Sequence, residues 1–171
     1  DLVWVLDPID GTRAFIAGVP LFGSLIALVE KGRPVVGVIE MPALGERFVG
    51  HAGRPTTADG KPCRTRDCGG LGNAILTTTS PEVFSGASLD AFARLAGAVK
   101  HRRYGLDCYG YALLALGCID LVMECNLQPY DYMALVPVIE GAGGVITDWQ
   151  GNPLGLDSSG EVLAAATPAL H

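Results

Sequence analysis

Short apolar runs separated by turn residues occupy the first half of the chain, and they predict β-strands. Residues 3–6 form a continuous apolar run, which is typical of a strand that is buried on both faces. Three further runs are joined by short turns and predict an antiparallel meander, at residues 24–29, 35–40 and 47–50. Residues 51–72 are rich in Gly, Pro, Thr and charge, so we expect a long loop there that holds at most a short strand.

The second half of the chain mixes helical and strand patterns. Two sets of apolar residues repeat at helical spacing and predict two amphipathic helices whose apolar stripes belong to the core. They are Leu89, Phe92, Ala96 and Val99 in the first helix, and Tyr109, Ala112, Leu113 and Leu116 in the second. Strands are predicted at residues 74–79, at residues 119–124 and from Val145. The pattern predicts one domain over residues 1–171, of the α/β class with layered helices and sheets.

Two carboxylates follow the first predicted strand directly. Asp7 and Asp10 flank Pro8, which fixes its own φ and favours an extended backbone at Asp7. Two carboxylates in contact repel by about 4 kcal/mol at an effective dielectric of about 20, so such a pair favours a shared proton or a bound cation. Hard oxygen ligands of this kind suit Mg²⁺. An Asp-rich turn without a ligand is the alternative, but the strand before the pair and the residues after it favour a metal site.

A glycine and a threonine follow the carboxylate pair. Gly11 lets a ligand approach the backbone closely, and Thr12 precedes a helix that we predict over residues 13–17. Backbone amides at the start of a helix point at an anion when one is bound. The segment therefore favours a phosphate next to the metal site.

Another aspartate, Asp131, precedes a predicted helix that ends at the glycines around Gly143. Taken alone, Asp131 is interpreted as the N-cap of that helix. Pro137 lies beyond the first turn of such a helix and removes a backbone donor, so we expect a kink or a displaced start.

Composition and charge exclude several classes of partner. The 171 residues are 49% hydrophobic, which is enough for a sizeable core. The net charge of −6 argues against a nucleic-acid partner, because nucleic-acid binding needs a positive surface. The longest apolar stretch, around residues 112–119, contains glycine and is too short to cross a bilayer, so we expect no membrane partner.

The remaining reactive residues do not assemble into another catalytic or metal site. The five cysteines show no Cys-x-x-Cys spacing, and their odd number favours a reducing compartment over a disulfide framework. The three histidines are scattered, so neither a zinc pair nor a histidine-based triad is predicted. Ser80 precedes Pro81 and is interpreted as a helix cap, not as a nucleophile.

Residues 7–12, Asp-Pro-Ile-Asp-Gly-Thr, and the later segment Pro129-Tyr130-Asp131-Tyr132 together resemble the inositol monophosphatase family of magnesium-dependent phosphomonoesterases. The resemblance covers nearly the whole chain and implies an αβαβα sandwich, a cytoplasmic enzyme and a homodimer. Family members also carry an upstream Glu-Glu pair that ligates metal, and nothing in this chain corresponds to it. We therefore expect the chain to be the C-terminal portion of a longer enzyme, with the N-terminal part missing and little activity in isolation.

The resemblance also implies a role for each matching residue. The metal ligands would be Asp7, the carbonyl of Ile9, Asp10 and Asp131. Asp7 would bridge two Mg²⁺ ions and is a catalytic residue in this sense. Gly11 and Thr12 would hold the phosphate of a small phosphorylated metabolite, and Thr12 would also help to position the attacking water.

Three short segments most resemble the histidinol-phosphate phosphatase branch of the family; they are residues 76–81, Asp107-Cys108-Tyr109 and residues 129–132. Two carboxylates, Asp107 and Glu124, would contact the leaving group of the substrate and suit the ammonium of histidinol. The plain alternatives are a helix N-cap for Asp107 and a solvated strand edge for Glu124.

L-histidinol phosphate is the predicted substrate. Two other hypotheses stay open on the sequence. The first keeps the chemistry and changes the substrate to inositol phosphate or to another small sugar or nucleotide phosphate. The second is a fragment that binds metal and phosphate without turnover.

Overall fold

Two β-sheets enclose a layer of helices in the computed structural model, which describes residues 1–171. The first sheet has six antiparallel strands in sequential order. Its strands are β1 (Leu2–Asp10), β2 (Gly23–Glu30), β3 (Arg33–Met41), β4 (Glu46–His51), β5 (Arg54–Ala58) and β6 (Lys61–Pro62). The predicted meander is confirmed, and β5 and β6 lie within the segment that we predicted as a long loop.

The second sheet is mixed, with the strand order β10-β11-β9-β7-β8. Its strands are β7 (Ile75–Thr78), β8 (His101–Tyr104), β9 (Leu121–Glu124), β10 (Val145–Thr147) and β11 (Val162–Ala165). The central strand β7 runs parallel to β8 and β9, whereas β11 is antiparallel to β9 and β10. Neither β8 nor β11 was predicted. Strand β8 lacks an apolar alternation because it is an exposed edge strand with the sequence His-Arg-Arg-Tyr.

Four of the five helices form two layers around the second sheet, and the short helix at residues 12–17 has no buried residue. They are α1 (Thr12–Ala17), α2 (Gly86–Ala98), α3 (Cys108–Ala115), α4 (Pro129–Tyr132) and α5 (Leu135–Gly141). Helices α3, α4 and α5 contribute to the core between the sheets, and α2 packs on the far face of the second sheet. The layers correspond to the βαβα part of the predicted αβαβα sandwich. No helix has the length and apolar character that a membrane span requires.

The prediction that the first strand is buried on both faces is wrong. Strand β1 is the edge of an antiparallel sheet, and only its inner face packs against the core, through Val5. On the outer face, Leu2, Trp4 and Leu6 are 66%, 63% and 56% exposed. An apolar run alone does not distinguish a strand covered on both sides from an apolar face that stays open.

Helix α3 departs from its predicted apolar stripe. Tyr109 and Leu113 are only partly buried and Leu116 is exposed, whereas Tyr111 and Leu114 are fully buried. The helix lies between two sheets, so most of its surface meets protein and apolar residues occur nearly all round it. In the stripe predicted for α2, Phe92, Ala96 and Val99 are buried as predicted, but Leu89 is 44% exposed.

The helical segment around Asp131 begins earlier than predicted and is divided. Asp131 is the third residue of α4, and its carboxylate accepts a hydrogen bond from the backbone amide of Gln128, which is the N-cap. The N-cap interpretation of Asp131 is therefore wrong, although the side chain still caps the helix from inside. The displaced start predicted from Pro137 is confirmed, because Pro137 lies in the first turn of the separate helix α5.

Candidate active site

Three carboxylates meet where the end of β1 approaches α4. Oxygen atoms of Asp7, Asp10 and Asp131 all lie within 4.8 Å of one another. Residues three apart on a regular strand point to opposite faces, but a register shift between Asp7 and Asp10 inserts one extra residue into β1. This bulge lets both side chains reach the same side. The structure thus brings together the three acidic residues that the sequence singled out.

A backbone amide orients each of the three carboxylates. The amide of Ile9 donates to Asp7 Oδ1 at 3.0 Å, that of Cys108 to Asp10 Oδ2 at 2.7 Å, and that of Gln128 to Asp131 Oδ2 at 2.7 Å. The amides come from β1, α3 and the start of α4, so three separate segments fix the cluster. Each carboxylate keeps further lone pairs free for a ligand.

The electrostatics of the cluster favour a cation. Burial raises the pKa of Asp10 to about 6, the hydrogen bonds from Cys108 oppose this shift, and the nearby charges of Asp107 and Asp7 add to it. Burial also raises the pKa of Asp131, and the charge of Asp7 contributes. No lysine or arginine forms a salt bridge with these carboxylates. Crowded, half-buried oxygen donors of this kind fit a hard divalent cation.

The segment from Ile9 to Thr12 is held in a tight turn beside the cluster. Thr12 Oγ1 donates to the carbonyl of Ile9 at 3.0 Å, and Thr12 is the first residue of α1. Gly11 has a φ of +77°, and a Cβ there would lie only 2.9 Å from the carbonyl oxygen of Leu21. Only glycine fits this position. The helix predicted over residues 13–17 is confirmed, with α1 beginning one residue earlier.

A pocket of about 460 Å³ joins the cluster to the two candidate leaving-group residues. Asp10 and Asp131 line it together with Asp107 and Glu124, and Arg13 is the one basic residue in the lining. A larger cavity, of about 760 Å³, lies around residues 62–67 and contains none of the candidate residues. The acidic pocket, and not the largest cavity, therefore holds the predicted chemistry.

Glu124 is buried, so the alternative of a solvated strand edge is wrong. Strand β9 lies between β11 and β7, and the side chain is 3% exposed. Its Oε1 accepts from the amide of Thr79 at 2.6 Å and from the Thr79 hydroxyl at 3.1 Å, and its Oε2 accepts from the Thr78 hydroxyl at 3.2 Å. Burial raises the pKa of Glu124 to about 7, although these hydrogen bonds lower it.

Asp107 precedes α3 but does not act as a side-chain N-cap, which contradicts the plain alternative for this residue. Its φ of +47° is unusual for a residue other than glycine and is costly. Burial raises the pKa of Asp107, while a hydrogen bond with Thr79 and the charge of Arg13 lower it. The strained backbone presents this carboxylate to the pocket.

Several residues of the pocket were not identified from the sequence. Thr79 follows β7, and Glu124 ends the neighbouring parallel strand β9. Ligands commonly bind at the carboxyl ends of parallel strands, and Thr79 lies at such an end, but the sequence alone does not show that β7 and β9 are parallel neighbours. No pattern in the sequence marks Arg13 or the buried Tyr111 as a residue of the site.

The layered fold and the acidic cluster are features of one class of protein, and a comparison of the chain with known protein families identifies that class. Residues 1–171 match the family described as the inositol monophosphatase family. The chain belongs to this family, and the resemblance stated from the sequence is confirmed.

Individual relatives carry more than one functional name. The chain is 53% identical to "Bifunctional phosphatase IMPL2, chloroplastic" of Arabidopsis thaliana, over 97% of the chain and 48% of that protein. It is 36% identical to a "Histidinol-phosphatase" of Chlorobaculum parvum, over 94% of the chain and 62% of that protein. The chain thus spans about half to two thirds of the length of these curated relatives.

Solved structures agree with the fold. An inositol monophosphatase from Zymomonas mobilis superposes with a TM-score of 0.97 at 50% sequence identity, over 99% of this chain and 67% of that one. An inositol monophosphatase from Anabaena superposes with a TM-score of 0.88 at 29% identity. The predicted α/β layered fold class is confirmed.

Proposed function

We propose that the chain carries the main part of the active site of a magnesium-dependent phosphomonoesterase that hydrolyses L-histidinol phosphate to L-histidinol and phosphate. One observation carries the proposal. Asp10 and Asp131, which form the acidic cluster together with Asp7, line one pocket with two further carboxylates, Asp107 and Glu124. Such a site has one end for a metal-bound phosphate and another end for a cationic leaving group.

Asp7, Asp10, Asp131 and the carbonyl of Ile9 are the proposed metal ligands. Mg²⁺ bound there would neutralise charge on the phosphoryl oxygens and supply an acidified water for direct attack on phosphorus. The backbone amides that hold the carboxylates keep them oriented before a substrate arrives, which reduces reorganisation during the reaction.

Gly11 and Thr12 are proposed to bind the substrate phosphate. Gly11 has a positive φ that allows the tight turn beside the cluster, and the Thr12 hydroxyl lies on the same turn as the Ile9 carbonyl. We propose that this hydroxyl also holds the attacking water in line with the leaving oxygen.

The leaving-group end of the pocket supports histidinol as the leaving group. Asp107 can accept a charge-assisted hydrogen bond from the ammonium of histidinol, worth about 1.5–3 kcal/mol. Glu124 uses most of its lone pairs within the protein and would add attraction through its charge. An uncharged polyol gains less from two carboxylates. The name of the Chlorobaculum parvum relative supports this choice, as does a "Histidinol-phosphatase" of Mycobacterium tuberculosis that is 39% identical over 86% of the chain.

Inositol phosphate is the second candidate substrate. The observation that favours it is the close similarity to the Zymomonas mobilis structure, which is described as an inositol monophosphatase. Both candidates use the same metal cluster, so they differ only in what the leaving-group end of the pocket accepts.

A comparison of substrates tests the proposal. We expect the full-length protein, with Mg²⁺, to show a higher kcat/KM for L-histidinol phosphate than for inositol 1-phosphate, and chelation of the metal to abolish both activities. A preference for inositol 1-phosphate would contradict the histidinol assignment and leave the phosphatase chemistry intact. Turnover that persists after chelation would contradict the metal-dependent mechanism itself.

A further inference from the structure

Tyr111 is a buried polar residue to which the proposed mechanism gives no role. It lies in α3 and is 2% exposed, and its hydroxyl has no hydrogen-bond partner among the protein atoms. A buried hydroxyl without a partner is destabilising, so native proteins nearly always provide one. We therefore expect the Tyr111 hydroxyl to have a hydrogen-bond partner that is not a protein atom.

The structure places a small cavity next to Tyr111. Its volume is about 20 Å³, which is enough for one water molecule. Its lining includes Tyr111 and four acidic residues, Asp10, Asp107, Glu124 and Asp131. A water molecule needs two to four polar partners to be bound stably, and this lining offers them.

Tyr111 and Glu124 line the same cavity and have complementary hydrogen-bonding capacities. The phenol is a donor, because burial raises the pKa of Tyr111 well above its ordinary value and the charge of Glu124 reinforces the shift. Glu124 Oε1 already accepts two hydrogen bonds from Thr79, whereas Oε2 accepts only one, from Thr78. Oε2 thus keeps the capacity for one more donor.

We propose that Tyr111 is a positioning residue that fixes Glu124 through one water molecule bound in this cavity. The Tyr111 hydroxyl donates to the water, and the water donates to Glu124 Oε2. Together with the threonine contacts on the other side, this bridge holds the carboxylate toward the leaving group. The role given to Glu124 rests on the proposed function, whereas the water site itself does not.

The variant Tyr111→Phe removes only the hydroxyl. In the full-length protein we expect kcat/KM for L-histidinol phosphate to fall by roughly tenfold, as for the loss of one hydrogen bond to a charged group, while kcat/KM for p-nitrophenyl phosphate changes by less than about twofold. The matched control is Tyr109→Phe, because Tyr109 lies in the same helix, is half-buried and does not line the cavity. We expect this control to behave as the unmodified protein does.

A double variant separates positioning from a general structural effect. If Tyr111 acts through Glu124, Tyr111→Phe should cause no further loss of discrimination in a Glu124→Gln background. Additive losses, or equal losses for both substrates, would overturn the proposal. A preference of the unmodified protein for inositol 1-phosphate would instead affect the proposed function alone.

A high-resolution crystal structure tests the water site independently of any substrate. We expect a water molecule within hydrogen-bonding distance of both the Tyr111 hydroxyl and Glu124 Oε2, and its loss in Tyr111→Phe. A dry cavity in the unmodified protein would overturn the proposal whatever the substrate.

Discussion

At the scale of single residues, the pocket depends on carboxylates that the fold holds in costly environments. Asp10 is half-buried, Glu124 is buried, and Asp107 has a positive φ of +47°. Such costs persist where the surrounding structure enforces them, and they are typical of functional sites. The residue types were visible in the sequence. Their burial was not, because it depends on which strands flank β9 and which helix approaches β1.

Asp107→Ala tests the leaving-group end of the pocket. We expect kcat/KM for L-histidinol phosphate to fall by more than about tenfold, because a charge-assisted hydrogen bond is lost, while p-nitrophenyl phosphate is hydrolysed nearly as before. Steady-state kinetics of the full-length protein measure both values. Asp90→Ala is the matched control, because Asp90 is exposed on α2 and lies outside the pocket. Equal losses for the two substrates would exclude a role for Asp107 in substrate choice.

The pKa of Glu124 predicts a pH dependence of stability. The folded protein holds the Glu124 proton more tightly than the unfolded chain does, because burial raises the pKa from 4.5 to about 7. The contribution of Glu124 to the free energy of unfolding is therefore fully present at pH values below 4.5. It decreases as the pH rises to about 7 and does not change further at higher pH. The full change is about 3 kcal/mol.

Chemical denaturation of the metal-free protein at about pH 5 and about pH 8 measures this effect. We expect Glu124→Gln to reduce the loss of stability between the two pH values, since the glutamine cannot titrate. An unchanged difference would show that Glu124 does not hold its proton more tightly in the folded state.

At the scale of elements, the strands with a clear apolar pattern were predicted from the sequence, and those without one were missed. The meander from β2 to β4 was predicted because each strand has apolar residues and a marked turn. Strand β8 is polar, and β11 is short and follows a long irregular segment, so neither gave a clear pattern. Strand β7, which Thr79 follows, and strand β9, which ends at Glu124, meet only through tertiary pairing, which the periodicity of the sequence does not report.

Gly11 tests the turn between β1 and α1. We expect Gly11→Ala to destabilise the protein by more than about 1 kcal/mol, because the residue has a positive φ and its Cβ would clash with the Leu21 carbonyl. Gly18→Ala is the matched control at the other end of the same helix, where φ is +73° and no atom lies within 4 Å of an added Cβ. Denaturant unfolding of both variants gives the comparison. Equal destabilisation would show that the close approach at Gly11 adds nothing to the backbone strain.

At the scale of the whole molecule, the fold and the family were predictable because two separated motifs agree with one architecture. The open outer face of the first sheet was not predictable from the apolar run in β1. This face includes Leu2, Trp4 and Leu6, and β1 is also an unpaired edge. Exposed apolar faces and open edges favour association.

We expect the 171-residue chain, prepared alone, to self-associate through this face. Trp4→Glu should shift the chain towards the monomer in sedimentation velocity, because it places a charge on the face. Leu44→Glu is the control, since Leu44 is also exposed but lies in the turn between β3 and β4. An equal effect of the two changes would exclude the outer face of β1 as the site of association.

The central claim is that Asp7, Asp10 and Asp131 form one magnesium site, and calorimetric titration of the full-length protein with Mg²⁺ tests it most directly. Asp131→Asn replaces a charged hard ligand by a neutral one, so we expect the affinity to fall by more than about tenfold with little change in the unfolding midpoint. Asp90→Asn, an exposed aspartate outside the cluster, should leave the affinity unchanged. An Asp131→Asn variant that binds Mg²⁺ as tightly as the unmodified protein would contradict the account.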